Sequence, residues 1–255
     1  MASLIAVGRY VMKKRLRIVW LLVACLSLPL LSRARSRGSS DVVSVRELSI
    51  PPKAHHAFEQ GIEFLAKKDA AGSLPHFQRA VAEYAAYYEA YHKIGEANLK
   101  LWRISDAEQS FRKSIDLSGG LYAPSLLALG AVLDSQKKFS EAEEVTRKGL
   151  DLYPASWSGH FYLALALFGL NRLEDAEKSV RDALGLKNDF AEAHLLLVRI
   201  HSRERDYRAL VNDLDNYLKI DPDSPASVRV RDLRDSAQRM LVESQNPSAL
   251  AEPQL

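Results

Sequence analysis

Apolar residues recur along this chain at the spacing of α-helices, and the helices that they predict come in pairs. The stretches "FYLALALFGL" (161–170) and "AHLLLVRI" (193–200) have apolar residues at helical period. A short polar turn follows each first helix. The second helix is then expected to open with a capping residue, as at Ser105 or Ser140. Acidic residues such as Asp106 and Glu141 should follow in its first turn, where the helix dipole favours them. The pattern predicts an all-α chain of helix–turn–helix units.

These units repeat with a nearly constant period. A reference position, small in four of five units, recurs at spacings of 34, 35, 34 and 34 residues: Ser73, Ala107, Ala142, Ala176 and Leu210. Four residues later stands a larger apolar residue or threonine: Phe77, Phe111, Thr146, Val180 and Leu214. Twelve residues before the reference stands a small residue, or valine in the last unit: Gly61, Gly95, Gly130, Ala164 and Val198. The small residues allow close approach of two helix backbones, and the larger one is expected to fill the gap between units.

The period, the small and large positions, and the prolines Pro154 and Pro222 that close two units resemble the tetratricopeptide-repeat family. The resemblance covers five units: 54–87, 88–122, 123–156, 157–190 and 191–224. It implies a right-handed superhelical α-solenoid whose first helices line a concave groove. Residues 225–241 place apolar side chains on one face and arginines and aspartates elsewhere, which predicts a capping helix. Residues 35–53 are predicted to be a linker and 242–255 a disordered tail.

Charge is unevenly distributed along the 255 residues. The net charge is +3, but residues 1–37 contain eight Lys or Arg and no acidic residue, which leaves −5 on residues 38–255. An acidic body lacks the basic surface that nucleic-acid binding requires, so we expect no nucleic-acid partner. Cys25 is the only cysteine. The repeats are therefore expected to have neither a disulfide nor a thiolate metal site.

Residues 1–34 are predicted to be a signal peptide or a membrane anchor. A basic cluster precedes fourteen mainly apolar residues, 18–31, and small and polar residues follow them. This three-part order is typical of a secretory signal peptide, with Ala34 as the last residue removed. We therefore expect an exported bacterial protein, periplasmic or envelope-associated, that contacts the membrane only through this segment.

Other interpretations of the N-terminal segment stay open. Cys25 ends a lipobox-like "LVAC", which would make the protein a lipoprotein with Cys25 lipidated. The arginines that follow the apolar run resist export and favour an uncleaved anchor in the inner membrane. A disordered leader on a cytosolic protein is the remaining alternative. The pattern is compatible with a translation start at Met1 or at Met12.

No residue pattern indicates catalysis or a cofactor. The chain has no glycine-rich phosphate loop, no nucleophile elbow and no metalloprotease helix. His160 and His194 hold the same place in successive repeats, which suits either a two-histidine ligand pair or half-buried packing residues; packing is favoured because no carboxylate or cysteine converges with them. His194 and His201 lie two helical turns apart, too far to share a metal ion unaided. We predict no enzyme activity, no cofactor and no metal site.

The groove that the resemblance implies is the remaining candidate surface. The family's lining positions, carried over unit by unit, select a mostly apolar peptide-binding set: Phe58, Ile62, Leu65, His92, Glu96, Leu99, Leu127, Phe161, Leu165, Phe168, Leu195 and Arg199. The Lys, Asn and Arg residues with which some members clamp a terminal carboxylate are essentially absent from the corresponding positions. Binding of chaperone tails is therefore not expected.

The resemblance implies a noncatalytic scaffold of the bacterial envelope that binds a peptide or helical segment of another protein in this groove. The alternative is an accessory or assembly subunit of an envelope enzyme or secretion complex, which contacts its partners through the convex face or the ends. Self-association through the last repeats is a third interpretation. Tyrosines at 84, 87, 88 and 91 suit either packing between repeats or recognition of a partner.

Overall fold

A computed structural model describes residues 49–245 of the chain. The predicted signal peptide or anchor, with Cys25, lies outside the described residues, as do most of the predicted linker and residues 246–255. Within 49–245, every helix is too short or too polar to cross a membrane.

The described residues form eleven α-helices and no strand. In chain order their bounds are α1 Pro52–Ala66, α2 Ala70–Glu83, α3 Tyr88–Lys100, α4 Ile104–Leu117, α5 Ala123–Ser135, α6 Phe139–Leu152, α7 Trp157–Gly169, α8 Leu173–Leu186, α9 Ala191–Glu204, α10 Tyr207–Ile220 and α11 Ser227–Gln245. The first ten make five pairs, and each pair corresponds to one predicted repeat. The prediction of an all-α repeat fold is confirmed.

The chain divides into two compact units, Met1–Pro154 and Ala155–Leu255, which we call the first and second unit. The described part of the first unit contains α1 to α6, and that of the second contains α7 to α11. In each unit the two helices of a pair pack on each other, and each second helix also packs on the element that follows it within the unit. The sequence period runs unbroken through Pro154 and so did not predict this division.

One residue with a left-handed backbone forms the turn inside each pair. The φ angle of this residue lies between 60° and 64° in all five turns: Lys68, Trp102, Lys137, Asn171 and Arg205. The conformation lets the next N–H group return to the end of the first helix, as where Arg103 donates to the carbonyl of Asn98 at 2.9 Å. The backbone itself therefore satisfies the helix end.

This turn changes the predicted start of the second helices. Arg103 and Lys138 precede α4 and α6 and make no side-chain cap, and the helices begin at Ile104 and Phe139. The predicted caps, Ser105 and Ser140, therefore lie inside the first turn, and their assignment is wrong. The acidic residues predicted in that turn, Asp106 and Glu141, are confirmed.

Glycine and phenylalanine interlock the helices of the first two pairs in the first unit. A Cβ atom at Gly61 would lie 2.5 Å from Cε1 of Phe77, and one at Gly95 would lie 2.5 Å from Cε1 of Phe111. The large residue thus packs over the small residue of its own pair. The sequence predicted that the large residue fills the gap between successive repeats. This prediction is corrected, because the antiparallel partner helix brings the glycine of the same pair directly opposite the ring.

Two predicted boundaries are also corrected. The helix α1 begins at Pro52, inside the predicted linker 35–53, because proline suits the first helical position. The helix α11 continues to Gln245, so residues 242–245 of the predicted tail are helical.

Candidate functional site

The predicted groove residues of the first unit differ in exposure. Phe58, Ile62 and Leu65 of α1 are partly buried, and the ring of Phe58 lies 4.9 Å from that of Tyr87 between centroids. Leu127 is buried with 6% of its surface exposed. Leu99 has no exposed surface and cannot contact a ligand, so its assignment to the groove is corrected: it lies on the packed face of α3.

His92 and Glu96, which the sequence placed in the groove, belong to a buried polar network. His92 Nε2 lies 3.1 Å from Glu96 Oε1, and His92 Nδ1 lies 3.0 Å from Ser125 Oγ. The hydroxyl of Ser125 donates to Ser114 Oγ at 2.7 Å. These residues come from α3, α4 and α5, so the network ties three helices of the first unit together.

The order of hydroxyl, imidazole and carboxylate is also that of a catalytic triad. Ser125 has no exposed surface, however, and its hydrogen is directed to Ser114. A substrate has no access to this hydroxyl in the structure. The network is therefore structural, and the sequence analysis missed it because Ser125 lies 33 residues after His92.

Glu96 remains ionised inside this network. Burial raises the pKa of Glu96, but the attraction and hydrogen bond from His92, together with those from Lys93, outweigh burial and lower the pKa to about 2. Lys93 donates to Glu96 Oε2 at 2.9 Å. The carboxylate is satisfied on both oxygens and contributes to the stability of the first unit.

The tyrosine-rich segment packs within the first unit. Tyr87 is 3% exposed, and its ring lies 6.0 Å from that of Tyr84. The ring of Tyr88 lies 4.9 Å from that of Tyr122. These contacts support packing as the main role of three of the four tyrosines; Tyr91 is partly buried.

In the second unit, the predicted groove residues of α7 form part of the core. Phe161, Leu165 and Phe168 are each 4–6% exposed, and the ring of Phe161 lies 4.7 Å from that of Phe190. Leu195 of α9, also predicted to line the groove, is partly exposed. The apolar surface that a ligand can reach is therefore smaller than the sequence suggested.

Two arginines of α9 cover the ring of Phe168. The guanidinium carbon of Arg199 lies 4.2 Å from the ring centroid, and that of Arg203 lies 4.0 Å from it. Arg203 also donates to the carbonyl of Phe168 at 3.4 Å and to Asn171 Oδ1 at 3.1 Å. Among the described residues, no carboxylate lies within ion-pair distance of Arg203. The ring of Phe168 thus contacts at least one cation, Arg203, whose hydrogen-bond acceptors are all neutral.

The histidines of the second unit face carboxylates that the sequence analysis did not identify. His160 Nδ1 lies 3.9 Å from Asp182 Oδ2, so it has a carboxylate of its own. His194 and His201 meet at Asp213: His201 Nδ1 lies 2.7 Å from Oδ2, and His194 Nδ1 lies 3.6 Å from Oδ1. The hydrogen bond to Asp213 is the main cause that raises the pKa of His201.

Asp213 is buried, which raises its pKa, but the two histidines outweigh burial and lower it. The sequence pattern could have indicated that Asp213 lies on the buried face of its helix. The residues Leu210, Leu214 and Tyr217 lie on one helical face, and Asp213 occupies the remaining position of that face. A carboxylate on a core face needs partners, and His194 and His201 supply them.

Comparison with known proteins identifies the fold. The tetratricopeptide-repeat family model matches residues 127–189. The chain has no significant match among curated protein sequences. One similar solved structure is that of MamA, from residue 41 to its end, of Desulfovibrio magneticus RS-1: the identity is 19%, the TM-score is 0.62, and the match covers 69% of this chain and 99% of that one.

Two further solved structures are also similar to this chain. PilF of Pseudomonas aeruginosa shares 17% identity at a TM-score of 0.62, over 78% of this chain and 94% of that one. YrrB, described as a TPR protein with an unusual peptide-binding site, shares 15% identity at a TM-score of 0.58, over 70% of this chain and 92% of that one. The chain therefore has the fold of tetratricopeptide-repeat proteins.

Proposed function

We propose that this chain, whose fold is that of tetratricopeptide-repeat proteins, is an interaction protein that binds an acidic segment of a partner protein on the first helices of its second unit. The observation that carries the proposal is the placement of Arg199 and Arg203 at 4.2 and 4.0 Å from the centroid of Phe168. The three residues lie on α7 and α9, the first helices of successive pairs.

The chemistry of the stacked guanidinium group selects the partner. An arginine that stacks on a ring keeps its N–H groups at the edge of the stack, where they match the two oxygens of a carboxylate. Arg203 donates its hydrogen bonds to neutral acceptors, so its positive charge is available to an anionic ligand. Leu195 lies one helical turn before Arg199 and adds apolar surface that is partly exposed. An acidic segment with apolar side chains fits both features.

YrrB has an unusual peptide-binding site, which supports a peptide as the ligand class. The residues proposed here are those of this chain, and they include Arg199, Phe168 and Leu195 of the set predicted from the sequence. Buried members of that set, such as Phe161, are proposed to support the surface without contacting the ligand.

A peptide array tests the proposal with the full chain. Fluorescently labelled protein is applied to 12-residue peptides of graded Asp and Glu content, and the tightest peptide is then titrated by fluorescence anisotropy. The double variant Arg199→Gln/Arg203→Gln is compared with Arg79→Gln/Arg208→Gln. The control arginines are exposed and have no hydrogen bond or ion pair among the described residues.

We expect acidic peptides to be preferred, the first double variant to bind at least tenfold more weakly, and the control to bind as the wild type does. Affinity should also fall as salt is added, because the attraction is electrostatic. Equal binding by both double variants would contradict the proposal and favour the alternative of an accessory subunit that uses other surfaces.

We also propose that the protein acts outside the cytoplasm. The support is the sequence of residues 12–36, where a basic cluster, an apolar run and small residues succeed one another. A fusion of residues 1–60 to alkaline phosphatase, which is active only after export, tests this. Activity that is lost when the apolar run is interrupted by two aspartates is the expected result, and an inactive wild-type fusion would contradict export.

A further inference from the structure

Three metal-ligand side chains converge at one place in the second unit. Glu177 comes from α8, and His201 and Glu204 come from the C-terminal turns of α9. One ligand atom of each lies within 4.8 Å of the others. His201 is buried, Glu177 is partly buried and Glu204 is exposed, so the cluster runs from the interior to the surface.

Asp213 fixes the orientation of the His201 ring. Its Nδ1 lies 2.7 Å from Asp213 Oδ2, and Asp213 is itself buried. The other ring nitrogen, Nε2, therefore points toward Glu177, whose Oε1 lies 3.3 Å away. A carboxylate behind a histidine is the usual support of a metal-bound imidazole, because it fixes the ring and makes the free nitrogen a better donor.

We propose that Glu177, His201 and Glu204 bind a divalent transition metal ion of the zinc class, with Asp213 orienting His201. Bonds of roughly 2.0–2.2 Å place two ligand atoms of a tetrahedral zinc site about 3.4 Å apart, and the Nε2–Oε1 distance of 3.3 Å matches this spacing. One imidazole and two carboxylates suit zinc better than calcium or magnesium, which prefer oxygen alone. Three protein ligands leave a fourth position open to solvent or to a partner.

Arg181 competes with the metal ion for Glu177. Its guanidinium group donates to Glu177 Oε1 through Nε at 3.0 Å and also through Nη2. Arg181 is largely exposed, so it can move away when a cation takes its place. Removal of Arg181 should therefore strengthen metal binding, whereas a purely structural ion-pair network would acquire no metal affinity from this change.

The sequence predicted no metal site, because no carboxylate or cysteine was expected to converge with a histidine. Glu177 and His201 lie 24 residues apart and meet only through the packing of α8 on α9. The inference is independent of the proposed peptide-binding surface, since the two use different residues of α9.

Zinc titration of the full chain tests the inference. Protein stripped with EDTA is titrated with Zn²⁺ by isothermal titration calorimetry, and Co²⁺ absorption near 600 nm reports a tetrahedral site. The main variant is Glu204→Gln, because Glu204 is exposed and makes no hydrogen bond or ion pair among the described residues. The matched control is Glu83→Gln, an equally exposed glutamate of the first unit without such a partner.

We expect one zinc ion per wild-type chain, at least tenfold weaker binding in Glu204→Gln, no binding at this site in His201→Gln, and severalfold tighter binding in Arg181→Gln. Glu83→Gln should bind as the wild type does. Thermal unfolding in EDTA, unchanged in Glu204→Gln, excludes loss of the fold as the cause. Absence of zinc binding by the wild type, or equal affinities of the wild type and Glu204→Gln, would overturn the inference.

Discussion

The two units of this protein each hold a buried histidine between polar side chains, but the two networks end differently. In the first unit, His92 lies between Glu96 and Ser125, and the chain of hydrogen bonds ends at Ser114, which has no exposed surface. In the second unit, the chain of contacts runs from Asp213 through His201 to Glu177, which is partly exposed. A sealed network can only stabilise helices, whereas one that reaches the surface can also meet a ligand.

The helix pairs of the two units also differ in how they fit together. The first unit uses glycine opposite phenylalanine, at Gly61 and Gly95, where no methyl group has room. The corresponding small positions of the second unit hold Ala164 and Val198, with Val180 and Leu214 as the larger residues. The difference predicts that the first unit tolerates added volume poorly.

Glu96→Gln should have the largest effect on stability. A pKa lowered from 4.5 to about 2 corresponds to about 3 kcal/mol of stabilisation at pH 7. Because the pKa of Glu96 is lower in the folded state, this contribution is present above pH 4.5 and disappears as the pH falls toward 2. Urea unfolding of the wild type and of Glu96→Gln should therefore differ by about 3 kcal/mol at pH 7 and converge near pH 2.

The control is Glu83→Gln, which removes the same charge from an exposed position and should leave stability nearly unchanged at every pH. A difference between wild type and Glu96→Gln that does not shrink in acid would mean that the ionised form of Glu96 is not what stabilises the first unit.

Gly95→Ala should be the next largest effect. The added methyl group would lie 2.5 Å from the ring of Phe111, which has no exposed surface and nowhere to move. Overpacking costs about 1–3 kcal/mol, and the better helix propensity of alanine offsets only part of it. We expect a net loss of about 1–2 kcal/mol in urea unfolding.

In the second unit the opposite substitution, from alanine to glycine, should lower the stability of the protein. Ala164→Gly removes a buried methyl group and lowers helix propensity, so we expect a loss of about 1 kcal/mol. If Gly95→Ala instead stabilises the protein, the glycine–phenylalanine fit is not what holds the pairs of the first unit together.

Thr146→Val should have an effect as small as that of Ala164→Gly, with the opposite sign. Thr146 has the position at which other pairs have an apolar residue, and its buried hydroxyl has no hydrogen-bond partner among the described residues. Valine keeps the shape and removes the unsatisfied group, so stability should rise by about 1 kcal/mol. Differential scanning calorimetry measures the change, and Thr146→Ser, which keeps the hydroxyl, should not reproduce it.

The fold could be predicted from the sequence because the same helix–turn–helix pattern occurs five times in the chain. Period and small positions fixed the helix pairs, but the second-helix starts depended on left-handed turns at residues such as Trp102 and Lys137. Neither residue type is one that favours this backbone, so sequence reasoning placed the caps at Ser105 and Ser140 instead.

The candidate sites were less predictable, because they depend on which helical face is covered. The sequence predicted that Phe168 lines a groove, but only packing shows that the ring is buried and that two arginines lie over it. Leu99 was also assigned to the groove from its position in the repeat, but it is wholly buried. Asp213 and Glu177 reach His201 from two other helices, and no local motif encodes such contacts.

Site-specific photo-cross-linking tests the central claim, that a partner segment lies on α9, most directly. A benzophenone side chain is introduced at Ser202, which lies between Arg199 and Arg203 in sequence and is partly exposed, and for comparison at Lys178 of the second helix α8, which is exposed. In cells that produce the full chain, we predict a cross-link from Ser202 to an acidic segment of another protein and none from Lys178. A partner cross-linked from Lys178 alone, or a segment without acidic residues at Ser202, would contradict the account.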